Sequence, residues 1–381
     1  MNKLSSEWQN EVREVVNGTV PTEDNSSITS SNEAFLNFQN MVLRSVYAGL
    51  NFDNANTGGI VSTYSLIYTI ANAYIGGVLA LNDDIHFVPY SANRGQKVSA
   101  NGTVSTYTLL YTAAGAYNGA VLAPNGDIHF VPYNANRGQK VSASGIVSTY
   151  SLTYSVSAAY AGGILAPDGA IHFIPYSANR GQKVAPGGTT TSTYSLAYTT
   201  STAYSGGVLA SNGEIHFIPY NATIGQKLSA NGASSSTYSL VYTTTNAYHG
   251  GVLAPNGDIH FVPFSAEVGQ KISANGVVST YALAFATTNA HWGGVLAPNG
   301  DIHFVAHSAS RGQKVSIDGI VSTYSLVRTA LTSQAGGVID GKGDIHFIIY
   351  GGGTMRGQKI STIPAIPFSP ALCRSAYLNK L

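Results

Sequence analysis

The chain of 381 residues is poor in cysteine and in charge. Its one cysteine, Cys373, excludes an intramolecular disulfide framework, so packing and strand pairing must hold the fold together. Charged residues make up only 10% of the chain, and the formal net charge is +1. Because basic residues are neither in excess nor in runs, we do not expect a nucleic-acid partner.

Long apolar runs are absent as well. Residues 1–16 are polar and include Glu7, Glu11 and Glu14, so they lack the apolar core of a signal peptide. No run approaches the roughly 20 apolar residues that a membrane-spanning helix needs. We therefore expect neither membrane insertion nor export through a signal peptide.

Three tripeptides recur in step along the chain. Ile-His-Phe, Ser-Thr-Tyr and Gly-Gln-Lys each occur seven times, with successive copies 43 or 44 residues apart. The histidines of the first tripeptide are His86, His129, His172, His216, His260, His303 and His346. A fixed period in the low forties, with several short β-type runs in each period, is typical of a propeller. Seven copies fit a closed ring of blades.

Each period contains four strand signals. In one copy these are 251–254, 258–263, 269–273 and 278–286, and the Asn-Gly of 255–257 is a strong hairpin dipeptide between the first two. Four antiparallel strands per period form one propeller blade. The small residues of the Gly-Gly-Val-Leu-Ala run suit the crowded axis, so this strand should be innermost and the Ser-Thr-Tyr strand outermost.

The order of strand types predicts how the ring closes. The first repeat element, 61–69, is of the outermost type, and the last, 357–361, is of the third type. We therefore expect these two segments to pair in the seventh blade and to remove an open edge. The predicted fold is an all-β, seven-bladed propeller over 60–362, preceded by a helical arm and linker (1–59) and followed by an extended tail (363–381).

The arm is expected to contribute an attachment surface. A capping box at 30–33 starts a helical pattern with one apolar face, which must pack on the propeller, on another copy or on a partner. The residues predicted to bind a partner are Phe35, Phe38, Met41, Val42 and Val46.

The repeated polar residues are predicted to be structural. Equivalent histidines of neighbouring blades should be about 10 Å or more apart, too far to share a metal ion whose ligands lie within about 3.5 Å of each other. We expect each imidazole to be buried and bonded to a hydroxyl of an adjoining strand. The lysine of Gly-Gln-Lys is expected to be a snorkelling side chain, and the repeated aspartates, such as Asp127, to be turn residues.

A ligand site is sought where the repeat varies. The residue before each Gly-Gly or Gly-Ala step should lie at the central mouth, and it reads Ile75, Asn118, Ala161, Ser205, His249, Trp292 and Ala335. A neighbouring loop carries Arg94, Arg137, Arg180, Arg311 and Arg356, with Ile224 and Val268 in the other two blades. The candidate ligand-binding residues are Trp292, His291, His249, His307 and Arg311, because a tryptophan face with imidazoles nearby suits sugars. The alternative is that these positions have drifted and bind nothing.

Catalysis is not expected. Neither a paired-carboxylate motif nor a His-Glu-x-x-His spacing accompanies the unrepeated histidines. We predict no catalytic residue, no metal and no cofactor.

The run Gly-Gly-Val-Leu-Ala-Pro-Asn-Gly-Asp-Ile-His-Phe-Val-Pro, at 250–263 and nearly so in the six other copies, resembles a propeller repeat of tailed-bacteriophage structural proteins. The resemblance covers about residues 60–362. It implies a non-enzymatic virion component, attached to other virion proteins through the arm and displaying the propeller, with host surface glycans as ligands. The repeat is also similar to lectin propellers, although it matches no lectin motif, so a soluble multivalent lectin is the alternative. A propeller hydrolase or lyase is a remote third reading. The seventh blade departs from the pattern at 339–343 and 351–353.

Overall fold

The computed structural model describes residues 60–230, 232–327, 334–351 and 356–361. Within these ranges the regular elements are 28 β-strands, which form seven four-stranded antiparallel sheets. The predicted all-β propeller with seven four-stranded blades is therefore confirmed. The predicted helical arm, its five apolar residues and the extended tail lie outside the described residues.

The strands follow one another in a regular order. In chain order they are β1 (Ile60–Ser65), β2 (Tyr74–Leu79), β3 (Ile85–Pro89), β4 (Arg94–Val98), β5 (Val104–Thr108), β6 (Tyr117–Leu122), β7 (Ile128–Pro132), β8 (Arg137–Val141), β9 (Val147–Ser151), β10 (Tyr160–Leu165), β11 (Ile171–Pro175), β12 (Gly181–Val184), β13 (Thr191–Tyr194), β14 (Tyr204–Leu209), β15 (Ile215–Pro219), β16 (Ile224–Leu228), β17 (Ser235–Ser239), β18 (Tyr248–Leu253), β19 (Ile259–Pro263), β20 (Val268–Ile272), β21 (Val278–Ala282), β22 (His291–Leu296), β23 (Ile302–Ala306), β24 (Arg311–Val315), β25 (Val321–Ser325), β26 (Gln334–Ile339), β27 (Asp344–Ile349) and β28 (Arg356–Ser361). Blade 1 consists of β2 to β5, blades 2 to 6 follow in sets of four, and blade 7 combines β26 to β28 with β1.

The strand with the double glycine is innermost, as predicted. Each inner strand contacts the inner strands of both neighbouring blades, so β2 contacts β6 and β26. A Cβ atom on Gly163 of blade 3 would come within 2.8 Å of Val121 and of Val131 in blade 2. The glycine is therefore required by the close approach of the neighbouring blade.

The ring closes between the two ends of the propeller. Strand β1 pairs antiparallel with β28, in a register that runs from Ile60 opposite Ser361 to Ser65 opposite Arg356. The predicted closure is confirmed. The pairing gives the seventh blade its outer strand and satisfies the backbone groups of β28 on that side.

A tyrosine crosses each blade to reach the repeated histidine. In blade 2 the hydroxyl of Tyr150, on the outermost strand, lies 3.2 Å from Nδ1 of His129, two strands away. The ring lies over Gly138 of the strand between them, where a Cβ atom would come within 2.1 Å of it. Six blades share the bond, at 3.1–3.4 Å. The predicted hydroxyl partner is confirmed, but it comes from the outermost strand and not from an adjoining one.

The seventh blade replaces this bond. There Nε2 of His346 lies 3.1 Å from a carboxylate oxygen of Asp340, which belongs to the divergent turn. The hydroxyl of Tyr64 and Nδ1 of His346 have no hydrogen-bond partner among the described residues. The sequence departure in this blade thus changes its internal hydrogen bonding.

In blades 1 to 6, the glutamine of Gly-Gln-Lys links the blade to the segment that leads into it from the blade before. Oε1 of Gln139 accepts hydrogen bonds from the backbone N–H groups of Leu110 (2.9 Å) and Tyr111 (2.8 Å), in the segment that leads from blade 1 into blade 2. The neighbouring lysine forms an ion pair, as between Lys97 and Asp84 at 2.6 Å. The repeated acidic residues are therefore ion-pair partners as well as turn residues.

Candidate functional site

A closed belt of ring side chains surrounds one mouth of the propeller. It comprises the residue that follows the second strand of each blade, namely Tyr90, Tyr133, Tyr176, Tyr220, Phe264, His307 and Tyr350. Neighbouring ring centroids lie 5.7–6.0 Å apart, and Tyr350 contacts Tyr90 at 5.9 Å to close the circle. We call these seven residues the aromatic belt. Sequence reasoning missed it, although an aromatic residue at a fixed place in all seven repeats was a visible signal.

Trp292 packs against the belt from the inner strand of blade 6. Its ring centroid lies 4.8 Å from that of His307, 5.5 Å from Phe264 and 5.5 Å from Tyr350. The imidazole of His249, from the inner strand of blade 5, lies closer still, at 4.3 Å. The structure therefore brings three of the predicted site residues, Trp292, His249 and His307, into one cluster at the mouth.

Two nitrogen atoms of this cluster are buried without a partner. Nε2 of His249 lies 2.9 Å from the hydroxyl oxygen of Ser205, on the inner strand of blade 4. Nδ1 of His249 and Nε1 of Trp292 have no hydrogen-bond partner among the described residues. A buried polar atom left unpaired costs on the order of 1–3 kcal/mol, so a water molecule or a ligand atom at this position would stabilise the mouth.

Both imidazoles of the cluster are neutral near pH 7. Burial, aided by the nearby His307, lowers the pKa of His249 to about 3. Burial also lowers the pKa of His307, whose Nδ1 lies 2.6 Å from the carbonyl oxygen of Gln334. These two groups therefore supply hydrogen-bonding atoms and ring surface, without positive charge.

The structure places His291 away from the cluster. It is the first residue of β22, at the position that tyrosine holds in the inner strands of blades 1 to 5, and it is fully buried. Its ring packs on Phe304 at 5.6 Å, and its Nδ1 lies 3.3 Å from the carbonyl oxygen of Pro263. Its ring contact among the described residues is with Phe304 of the blade core, so the structure separates His291 from the Trp292 cluster. Aligning the seven repeats would have shown this substitution of a core tyrosine.

The other variable positions of the mouth are mostly buried. Trp292 is partly exposed, whereas six of the residues before the glycine step are buried, namely Ile75, Asn118, Ala161, Ser205, His249 and Ala335. Of the seven residues at this step, Trp292 is therefore the one that a ligand could reach from solvent. Arg311 lies elsewhere on the same face, exposed at the start of β24.

The described residues offer no preformed metal site. No group of three or more histidine, cysteine or acidic side chains within them is placed to hold a metal ion. The same part of the chain has no helix long and apolar enough to cross a membrane.

Comparison with known proteins finds likeness of fold alone. No protein-family model and no curated protein matches the sequence. A streptogramin B lyase structure is similar, with a TM-score of 0.69 and 20% identity over 79% of this chain and 97% of that one. A catalytically inactive virginiamycin B lyase from Staphylococcus aureus with quinupristin follows, with a TM-score of 0.68 and 19% identity over 80% and 100% of the two chains. YCF48 bound to a D1 peptide has a TM-score of 0.60 and 10% identity over 80% and 97%. At these identities the likeness establishes the propeller, and nothing in it links the chain to bacteriophage virion proteins.

Proposed function

We propose that this protein is a non-enzymatic binding propeller that holds a carbohydrate ring against Trp292, at the mouth of the aromatic belt. The observation that carries the proposal is the concentration of ring side chains around this one residue. An indole face with imidazole and hydroxyl groups nearby is a common way to hold polar rings. Trp292 is partly exposed, so a ligand reaches it, whereas His249 and His307 are buried behind it.

The rest of the belt supplies hydrogen-bonding groups. Tyr133, Tyr176 and Tyr220 are partly exposed and interact through their hydroxyl groups. Phenolic hydroxyls both donate and accept hydrogen bonds, as sugar hydroxyls do. The belt therefore matches a polar ring better than a purely apolar ligand.

The protonation state of the mouth favours binding over catalysis. A general base works best when its pKa lies near the working pH. Burial holds the pKa of His249 at about 3, so this imidazole is a weak base at pH 7. His307 is also shifted downward by burial, and its Nδ1 is engaged with a backbone carbonyl.

We further propose that the propeller is displayed on a phage particle and attached through residues 1–59. This part of the proposal is supported by the resemblance of the repeat to tailed-phage structural proteins and by the predicted apolar face of the arm. Its partners would be other virion proteins and host surface glycans. One sugar stacked on an indole contributes about 1 kcal/mol, so useful adhesion would need many copies on one particle. A soluble multivalent lectin would use the same mouth without the attachment.

A lyase is the second candidate. Its support is the fold likeness to the streptogramin B and virginiamycin B lyases, over nearly the whole length of those chains, together with the imidazoles at the mouth. Incubation with quinupristin, followed by chromatography and mass spectrometry, tests it. Conversion that depends on His249 would favour this candidate over the binding propeller.

The binding proposal is tested on a glycan array. The wild type, Trp292→Ala and the control Trp8→Phe should be compared, because Trp8 is the only other tryptophan. We expect Trp292→Ala to lose binding while Trp8→Phe keeps it, with both variants folded by circular dichroism. In the Trp8→Phe protein, Trp292 is the only indole, so its fluorescence reports the mouth directly. Equal binding by Trp292→Ala and wild type would remove this site. Mass spectrometry of purified particles tests the proposed location.

A further inference from the structure

The two faces of the propeller differ in charge. Five blades carry an exposed arginine on the face of the aromatic belt, at or immediately before the first residue of the third strand. These residues are Arg94, Arg137, Arg180, Arg311 and Arg356. A hydrogen bond of 2.8 Å from the hydroxyl of Tyr74 to the carbonyl oxygen of Arg94 ties this position to the top of the inner strand. Glu267 is the one acidic residue of the described ranges that lies on this face.

The opposite face holds the lysines, and most of them are neutralised. Lys97, Lys140, Lys227, Lys271, Lys314 and Lys359 each form an ion pair with a carboxylate of the turn between the first two strands of their blade. By contrast, Arg94, Arg137, Arg180 and Arg311 reach no carboxylate within the described part of the chain. The guanidinium groups of Arg137 and Arg180 lie over tyrosine rings, at 5.9 and 5.0 Å from the centroids.

The exposed arginines of this face are confined to an arc. Blades 6, 7, 1, 2 and 3 carry the arginine, whereas blades 4 and 5 have Ile224 and Val268 at this position, and Val268 follows Glu267. Trp292 belongs to blade 6, at one end of the arc. A ligand stacked on Trp292 and extending over blades 7 and 1 would therefore meet the exposed guanidinium groups of Arg311 and Arg94, which reach no carboxylate among the described residues.

We infer that the ligand of this mouth is an acidic glycan, whose carboxylates pair with the rim arginines while one sugar ring stacks on Trp292. This inference rests on the proposed carbohydrate-binding function and adds the charge class of the ligand. Guanidinium groups pair well with carboxylates, in a geometry that permits two parallel hydrogen bonds. Neighbouring blades of the arc each contribute one arginine, so these arginines could pair with carboxylates that recur along an oligosaccharide.

A nucleic acid fits the same face less well. It carries one negative charge on every nucleotide, and proteins that bind it provide clustered basic residues. Here five blades offer one arginine each at this position and two offer none, and the whole chain has a net charge of +1. The belt rings also pack against one another at tilts of 41–59°, with part of their faces covered, so they do not form an open platform for successive bases.

The test uses paired glycans that differ only in the charge of their carboxyl groups, namely oligogalacturonates and sialylated glycans, each compared with its carboxyl-reduced form. The proteins are the wild type, Arg94→Gln/Arg311→Gln on the rim, and Lys183→Gln/Lys342→Gln, which removes two positive charges from the opposite face. We expect the wild type to bind acidic members at least ten-fold more tightly than neutral ones at low salt. The preference should shrink at 0.5 M salt, because salt screens exposed charges.

The rim variant should lose the preference and keep its affinity for neutral glycans, while the opposite-face variant should behave as the wild type. Equal binding of acidic and neutral members by the wild type would overturn this inference and leave the proposed function standing. Equal losses in the two double variants would also overturn it, because the effect would then be one of net charge. Stronger competition by a single-stranded oligonucleotide of equal charge would assign the face to nucleic acid instead. Failure to bind any glycan would overturn both proposals.

Discussion

We expect the propeller to unfold as the pH is lowered from 7.5 to 5. This range lies well above the pH at which its carboxylates become protonated. The cause is the set of repeated histidines, which are buried as neutral imidazoles. Burial lowers the pKa to about 4 in each of the five for which the shift is large, namely His86, His129, His172, His216 and His260. In the unfolded chain these groups return to a pKa near 6.5.

The magnitude follows from this difference. Because the folded pKa is depressed, each imidazole adds stability that is complete above pH 6.5 and is lost as the pH falls towards 4. At 1.36 kcal/mol per pKa unit, one such histidine contributes about 3 kcal/mol at neutral pH, of which about 2 kcal/mol is gone at pH 5. Five together lose about 10 kcal/mol, comparable with the whole stability of an ordinary domain. The pKa values of Asp127, Glu214 and Asp258 are lowered, so these carboxylates stay ionised through this window.

The assay is urea unfolding followed by circular dichroism at pH 7.5, 6.5, 5.5 and 5. We expect the free energy of unfolding to fall steeply below pH 6.5, with a slope that corresponds to at least five protons taken up on unfolding, because burial also lowers the pKa of His249 to about 3 and that of His291 to about 4. His129→Gln should reduce that uptake by about one proton, which separates the histidine effect from a general one. A free energy of unfolding that stays level between pH 7.5 and 5 would refute the reasoning.

Three further predictions concern the closure, the crossing tyrosine and the arm. Deleting residues 1–70 should lower the melting temperature by several degrees or more, because the outer strand of blade 7 is lost and β28 becomes an edge; melting within a degree or two of the full chain would contradict the closure. Gly138→Ala should cost about 3 kcal/mol or more in urea unfolding, because its methyl group overlaps the ring that crosses it. The control Gly188→Ala, whose Cβ would meet its nearest atoms at 3.8 Å, should change stability by less than 1 kcal/mol. Changing Phe38 and Val42 together to Asp should release the protein from its assembly, measured by co-sedimentation, while the propeller keeps its melting temperature; unchanged assembly would remove the attachment role of the arm.

The fold was largely predictable because it repeats. Seven copies of each tripeptide fixed the number of blades, and the strand types at 61–69 and 357–361 fixed the closure, since only one arrangement completes a fourth strand. The partner of the repeated histidine was predicted as a hydroxyl, but its source was misjudged. The hydroxyl of Tyr150 reaches His129 because the tyrosine ring lies over Gly138, which has no side chain to block it. This contact spans three strands of the blade, and the spacing of the residues in sequence does not show it.

The site was harder to predict because exposure and ring contact are properties of the closed ring. Sequence variation pointed to the step before the double glycine, yet burial there leaves only Trp292 in reach of solvent. Adjacency in sequence suggested that His291 and Trp292 act together, whereas His291 packs on Phe304 in the blade core and Trp292 packs on the aromatic belt. The aromatic belt could not be predicted from the repeat alone, because its closure into a circle depends on how the seven blades are arranged in three dimensions.

The pairing of β1 with β28 also bears on how the chain is made. At 5–20 residues per second, β1 leaves the ribosome roughly 15 to 60 s before its partner exists. During that time six other strands with the same Gly-Gln-Lys tripeptide, similar in sequence to the correct partner, are synthesised. Each is followed after a short turn by its own outer strand, and hairpins form in microseconds, so those edges are covered almost as soon as they emerge. Strand β28 is the one third strand of the described array with no outer strand following it within that array. The correct partner of β1 is thus expected to be the one third strand that is still uncovered when synthesis of the array is complete.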